Sequence, residues 1–222
     1  YKYLKQIVTR DKKLFLLPVI GKPLEDLSEN FQNSFRQATL QKIGLLDDSD
    51  AKELIIKPTK KLKYQDAAIE TILKLSANHP YFTQVLCFTL FNSAKARDRW
   101  EVTSQDVESI VEKAITHSQT GLASLRNSLP IYEKVVFLAV AKSQDIASLK
   151  EQLLILEDYG VSVTDALRKA LKNLEKWGFL EKQNSSFLQD FYQLKVEFVR
   201  RWLIANNFIK IFGEASRELE IA

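Results

Sequence analysis

Hydrophobic and polar positions along the first 58 residues follow the pattern of alternating strands and helices. Residues 14–20 form a continuous apolar run between breakers, which is typical of a strand buried on both faces of a parallel sheet. We expect a helix over 24–37 and a second short strand over 38–44. Asp-Asp-Ser-Asp at 47–50 supplies candidate N-caps for a helix that we expect to begin at Ala51 and to end at Pro58. This order predicts the end of an α/β layer.

From Tyr64 onward the apolar positions recur with a helical period. One amphipathic helix is predicted to end at Asn78, and the next begins at Pro80, where a missing backbone N–H is tolerated. Thr103 followed by an acid at 106 is a capping-box pattern, and it opens a further helix that we expect to end near Gly121. The pattern predicts a small all-helical unit.

Three more helical stretches and two β-prone stretches follow Pro130. Three helices and a hairpin in this order are the layout of a winged helix, a variant of the helix-turn-helix. A closing helix begins at Phe198. The helices are expected around 131–139, 149–156 and 165–177, and the β-prone stretches are 179–182 and 191–196.

The charge of the chain is close to balanced. Its 222 residues include 32 Lys and Arg and 28 Asp and Glu, for a net charge of +4. Residues 1–125 contribute +3 and residues 126–222 contribute +1, so neither half is a polycation and composition alone does not favour nucleic acid as a partner.

Single residues exclude several kinds of chemistry. Cys87 stands alone, so a disulfide within the chain and a cysteine zinc site are ruled out, and a small packed side chain is expected there. His117 has no ligand partner at metal-binding spacing, and no metal site is expected. No catalytic residues are assigned. No apolar run approaches the roughly 18 residues of a membrane span, so we expect no membrane partner. The chain starts at Tyr1 and has no methionine, which suggests a piece of a longer protein.

Three segments in this order point to a known family. They are Asp-Ala-Lys-Glu-Leu-Ile-Ile-Lys-Pro at 50–58, Ala-Asn-His-Pro-Tyr-Phe-Thr-Gln at 77–84 and Phe-Val-Arg-Arg-Trp-Leu at 198–203. With the order of predicted units, they resemble the C-terminal part of a STAND-type, AAA+-related P-loop NTPase, over residues 10–205. The resemblance implies a mostly α fold with a minor α/β part. Its expected domains are the end of the α/β NTPase core (1–58), a helical lid (59–122), a winged helix (123–205) and a helical tail or linker (206–222).

The resemblance also implies a nucleotide site. In this family the corresponding turn contacts the adenine side of the nucleotide, so Asn78, His79, Pro80 and Tyr81 are expected to line that pocket. Lys22 falls near the position that senses a γ-phosphate, since open α/β sheets bind ligands where their strands end.

Catalysis by this chain alone is not expected. Arg36 is a candidate arginine finger, a group that stabilises phosphoryl transfer. No Gly-x-x-x-x-Gly-Lys-[Ser/Thr] sequence occurs, so nothing here cradles the phosphates or positions magnesium. ATP or ADP with Mg²⁺ is expected in the parent protein, bound with an upstream nucleotide-binding core, and no tightly bound cofactor is expected on this chain.

A basic stripe recurs along the third helix of the predicted winged helix. Arg168, Lys172 and Lys176 stand at i, i+4 and i+8, opposite the apolar face. In a DNA-binding helix-turn-helix this helix enters the major groove. Because the helix also carries acids, we expect the stripe to contact protein, with DNA the second choice.

The sequence therefore predicts the regulatory lid and winged-helix part of a cytoplasmic, nucleotide-dependent switch, with self-association or another protein as a further partner. Two alternatives stay open: a DNA-binding winged-helix transcriptional regulator, and a structural protein-interaction adaptor.

Overall fold

The computed structural model forms two compact units, Tyr1–Gly44 and Leu45–Ala222. Its described residues are mostly helical with two small two-stranded sheets, which confirms the expected fold class, mostly α with a minor α/β part. The structure describes residues 3, 6–7, 10, 13, 15–20, 27–36, 38–41, 43–143, 149–158, 160–183, 191–205 and 208–221.

The first unit contains helix α1 (Glu29–Ser34), whose N-cap Ser28 accepts a hydrogen bond from the Phe31 amide. The helix predicted over 24–37 is therefore seen only in its middle, and residues 21–26 and 37 lie outside the described residues. Helix α1 is short and contains no buried residue.

The two strands predicted for the first unit are wrong over their described residues. Phe15, Leu17 and Val19 are 88%, 85% and 87% exposed, and residues 15–20 make no strand pairing. Residues 38–41 and 43–44 also lie outside any strand. A buried parallel strand needs a hydrogen-bonded neighbour on each side, and the described residues of this unit supply none. Pro18 also lacks the N–H that a ladder requires.

The second unit holds the other described elements. Strands β1 and β2 pair in parallel, with Lys63 opposite Glu101, and β3 and β4 form an antiparallel hairpin. The helices are α2 (Asp48–Ile56), α3 (Asp66–Ser76), α4 (Pro80–Arg97), α5 (Ser104–Ser109), α6 (Val111–Ser128), α7 (Ile131–Ser143), α8 (Leu149–Asp158), α9 (Asp165–Lys176), α10 (Glu197–Ala205) and α11 (Phe208–Ile221), and the strands are β1 (Lys63–Tyr64), β2 (Glu101–Val102), β3 (Leu180–Gln183) and β4 (Phe191–Leu194).

Side-chain caps begin several of these helices where the sequence predicts them. Asp47 caps α2 by accepting from the Asp50 amide at 2.7 Å. Thr103 and Asp106 form a complete capping box at α5, each side chain accepting from the other residue's amide. Thr164 caps α9 through a single bond, in which its hydroxyl accepts from the Leu167 amide at 3.4 Å. Local hydrogen bonding thus fixes the starts of these helices.

The single helix predicted from Thr103 to near Gly121 is two helices in the structure, α5 and α6, with Ile110 between them. Helix α6 then continues to Ser128, so that prediction is wrong. A Cβ atom at position 121 would lie 2.8 Å from the hydroxyl oxygen of Tyr81. The glycine lets the Tyr81 ring approach α6 closely, and the helical hydrogen bonds continue past it. Glycine serves a packing contact here and does not end the helix.

One continuous hydrophobic core joins helices α3–α6 to helices α7–α11. Helix α10 packs against α3, α6 and α7, and its buried Phe198 ring lies 5.5 Å from the ring of Phe82 on α4. Helix α11 packs on α7, where an ion pair joins Lys134 to Glu218 at 3.0 Å. The closing helices therefore belong to the same packed unit as α3–α6.

A buried glutamine holds the β3–β4 hairpin against α8. The Gln152 amide donates to the Tyr192 carbonyl at 2.6 Å, and its oxygen accepts from the Tyr192 amide at 2.8 Å. Gln152 is fully buried, and this pair of bonds has the geometry that a neighbouring strand would supply. One side chain therefore completes the outer edge of β4. In the part of the chain that the structure describes, no helix is long and apolar enough to cross a membrane.

Candidate functional site

The turn between α3 and α4 adopts an unusual backbone conformation. Ala77 and Asn78 have φ values of 47° and 60°, in the left-handed region that non-glycine residues seldom occupy. The His79 amide then donates to the Ser76 carbonyl at 2.9 Å, and Pro80 takes the first position of α4. Strained backbone of this kind persists only where surrounding contacts hold it, and it is frequent at ligand sites.

Contacts with the start of α2 hold the turn in place. The Asn78 side chain donates to the Asp48 carboxylate at 2.7 Å, and the Leu46 amide donates to the Asn78 carbonyl at 3.1 Å. Beneath the turn, the Thr83 hydroxyl donates to the buried Ser76 hydroxyl at 2.9 Å. The turn is therefore fixed from two sides.

An open cleft of about 390 Å³ lies between this turn and the β3–β4 hairpin. Its walls combine leucine side chains with two lysines and one carboxylate, and the Asn78 backbone forms part of the edge. The carboxylate of Glu181 accepts from Gln183 at 2.9 Å and also from Gln193, so its charge is partly engaged. The lining residues are Leu45, Leu46, Leu73, Lys74, Ala77, Asn78, Glu181 and Lys195.

His79 lies next to the cleft and points into the protein. Its ring centroid is 4.7 Å from that of Phe82, and its Nδ1 atom is buried with no hydrogen-bond partner among the described residues. Burial lowers the pKa of His79, against a smaller opposing effect of a bond to its own backbone. The imidazole is therefore neutral near pH 7, which suits a polar contact and not a charge contact with an anion.

The other predicted residues of the second unit do not line this cleft. Tyr81 is 43% exposed and turns toward α6, as its contact with Gly121 shows. Arg36 is exposed and belongs to the first unit. Lys22 lies outside the described residues. The stripe of Arg168, Lys172 and Lys176 is exposed along α9.

Sequence reasoning missed the two lysines of the cleft. Lys74 lies near the end of α3, and Lys195 directly follows β4, far along the chain from the turn. Lys195 lies within the β-prone stretch 191–196, and nothing in the sequence places that hairpin beside the turn.

Metal and thiol chemistry find no support in the described residues. Among them, no group of three or more His, Cys, Asp or Glu side chains has the arrangement of a metal site. Burial raises the pKa of Cys87 to about 11, against a lowering contribution from a hydrogen bond with Tyr64. The thiol therefore stays protonated near pH 7 and packs against the core.

Comparison with known proteins gives little beyond these observations. No protein-family profile matches the sequence, and no curated protein matches it significantly. Among solved structures, the ORC2 protein of Aeropyrum pernix, described in ADPNP–ADP complexes, matches with a TM-score of 0.34 and 14% identity. The match covers 82% of this chain and 52% of the other, so the chain spans about half the length of that protein. At this level the similarity assigns neither a fold nor a function.

Proposed function

We propose that this chain is the helical lid and winged-helix part of a nucleotide-dependent switch of the STAND or AAA+ type. The single observation that carries the proposal is the cleft between the 77–79 turn and the β3–β4 hairpin. This turn is the one that the sequence resemblance assigns to the adenine side of a nucleotide. The catalytic phosphate loop and Mg²⁺ are expected to come from an upstream core of the parent protein.

The chemistry of the cleft fits part of a nucleotide. Leu45, Leu46 and Leu73 offer an apolar wall, and Lys74 and Lys195 bring two cations to the same opening. Binding sites for small molecules commonly combine apolar walls with a few such polar groups.

The position of the cleft suits a switch. Its two walls come from the α3–α4 turn and from the hairpin, so a bound ligand contacts both parts of the unit at once. A ligand that binds one arrangement of these walls better than another shifts the population toward it. In this proposal ADP favours the closed arrangement, in which the hairpin is docked beside the turn.

Nucleotide binding can be measured on this chain and on the parent protein. Without a phosphate loop, this chain is expected to bind ADP weakly, with a Kd on the order of 1 mM. Chemical shifts of the amides at Asn78, His79 and Lys195 are expected to move together as ADP is added. In a parent protein that carries the phosphate loop, Lys195→Ala and Pro80→Ala are expected to raise the Kd for ADP.

Lys172→Ala provides the matched control, because Lys172 is an exposed lysine on α9 outside the cleft. It should leave the ADP affinity unchanged. Shift changes concentrated on α9, or an unchanged ADP affinity both for Lys195→Ala in the cleft and for Pro80→Ala in the adjoining turn, would remove the cleft from the nucleotide site.

A further inference from the structure

The parallel pair β1–β2 brings two basic segments together. The Lys63 amide donates to the Trp100 carbonyl at 2.8 Å, and the Lys61 ammonium lies 5.3 Å from the centre of the Trp100 ring. Lys61 and Lys63 thus lie beside Trp100, and Lys95, Arg97 and Arg99 come just before that residue along the chain. We call the exposed surface formed by Lys60, Lys61, Lys63, Lys95, Arg97 and Arg99 the basic edge.

The two segments that supply the basic edge carry a larger net positive charge than the whole chain. Residues 57–63 contain four lysines and no acid, and residues 95–101 contain three cations and two acids. Together these segments carry +5, whereas the chain carries +4, so the rest of the chain sums to −1. The net charge of +3 over residues 1–125 hides this concentration, because the remaining residues of that part sum to −2.

The carboxylates near this surface already have partners. Asp98 accepts from the Trp100 indole N–H at 3.1 Å, and Glu101 accepts from the Gln65 amide at 2.8 Å. Asp106 accepts hydrogen bonds from the backbone amide and the hydroxyl of Thr103, and it pairs with Arg99. Burial acts to raise the pKa of Asp106, but the bonds from Thr103 and the charges of Arg99 and Arg97 together lower it.

The lysines of the surface remain available. In the part of the chain that the structure describes, no carboxylate oxygen lies within 4.0 Å of the Lys60, Lys63 or Lys95 ammonium groups. Arg97 also reaches Asp106 only at 3.8 Å, with its side chain 58% exposed. An anion at the basic edge would therefore displace no internal ion pair of these lysines.

The shape of the surface selects the kind of anion. The Trp100 ring faces Lys61 and also packs 5.7 Å from the Phe91 ring, so it does not offer a free face for stacking a nucleic-acid base. The cavity beside Arg97 and Arg99 measures about 10 Å³, enough for one water and too small for an anchoring side chain of a peptide. An acidic peptide would thus lack the buried anchors that give such complexes their affinity.

We propose that the basic edge binds the phosphate backbone of duplex nucleic acid without sequence preference. Phosphates repeat at regular spacing and need cations but no apolar pocket, which matches what this surface supplies. This site is separate from the α9 stripe and from the cleft. The proposal does not depend on the proposed nucleotide switch.

The test is a titration of two labelled 20-base-pair duplexes of unrelated sequence at several salt concentrations, read by fluorescence anisotropy. The four lysines and Arg97 are available to phosphates, since Arg99 pairs closely with Asp106, and five cations predict a slope of log K against log salt of about −4.5. The variant Lys60→Gln/Lys63→Gln/Lys95→Gln keeps Arg97 and the Lys61 ammonium over Trp100, and it should reduce the slope to about −1.8. At low salt it should weaken binding at least tenfold for both duplexes.

The matched control removes the same number of charges from α9, as Arg168→Gln/Lys172→Gln/Lys176→Gln, and should keep the slope of the unmodified chain. A loss only in this control would overturn the proposal in favour of the winged-helix surface, and equal losses in both variants would also overturn it. Different affinities for the two duplex sequences would also overturn the proposal, and so would tighter binding of poly-glutamate than of duplex. Lys95→Glu serves as a second variant if circular dichroism shows that the triple variant is misfolded.

Discussion

Replacing Gln152 by alanine tests how the hairpin is attached. The change removes the hydrogen bonds of 2.6 and 2.8 Å to the Tyr192 carbonyl and amide, at a side chain with no exposed surface. Leaving a buried backbone group without a partner costs about 1–3 kcal/mol, so two such groups predict a loss of about 2–6 kcal/mol. That loss is a large part of the total stability of about 5–15 kcal/mol for an ordinary domain.

Urea unfolding followed by tryptophan fluorescence measures this loss, and amide hydrogen exchange locates it. We expect faster exchange at β4, because an isolated two-stranded hairpin is only marginally stable. Gln65→Ala is the matched control: its side chain makes one exposed hydrogen bond of 2.8 Å to Glu101, so its removal should cost less than about 1 kcal/mol. Equal effects of the two substitutions, or unchanged exchange at Tyr192, would refute the role given to Gln152.

Three further predictions concern pH, packing and catalysis. Burial holds the pKa of His79 below 6.5, so as the pH falls below about 6.5 the imidazole is protonated in the unfolded chain before it is protonated in the folded one, and the free energy of unfolding should fall. In urea unfolding at several pH values, His79→Gln should make this fall smaller. Equal pH dependence of the urea midpoints in the two proteins would contradict the prediction. Gly121→Ala should add about 1 kcal/mol of stability only when Tyr81 is also replaced by alanine, because the Tyr81 ring otherwise meets the new methyl group. Thermal melts of the unmodified chain, the two single variants and the double variant measure this. An equal effect of Gly121→Ala with and without Tyr81 would exclude the contact. The purified chain should release no phosphate from ATP above background, since it has no phosphate loop, and turnover abolished by EDTA would show otherwise.

Local signals in the sequence predicted the helices of the second unit well. The Thr103 capping box and the Asp47 cap act through neighbours a few residues away, so their residue types suffice to predict them. Gly178 likewise adopts a φ of 79° just after α9, where a helix-ending glycine is expected. These features depend on short-range hydrogen bonds and backbone freedom.

Features that depend on distant partners were predicted less well. The apolar run at 15–20 has the composition of a buried strand, but a strand exists only where other strands pair with it. Gly121 looks like a helix end until Tyr81 is seen packed above it. Among the residues that line the cleft, Asn78 was named through the sequence resemblance, whereas Lys195 reaches the same opening only through the tertiary fold.

The contact between Phe82 and Phe198 has a consequence for synthesis on the ribosome. The two rings lie 5.5 Å apart in the folded chain but are 116 positions apart in the sequence. At the usual elongation rate of about 5–20 residues per second, roughly 6–23 s pass between their additions. During that interval the face of α3 that α10 later covers remains exposed to solvent, and the corresponding face of α6 joins it once residue 128 has been added. The nascent chain therefore carries an uncovered apolar surface that a chaperone can bind, and its release depends on translation reaching α10.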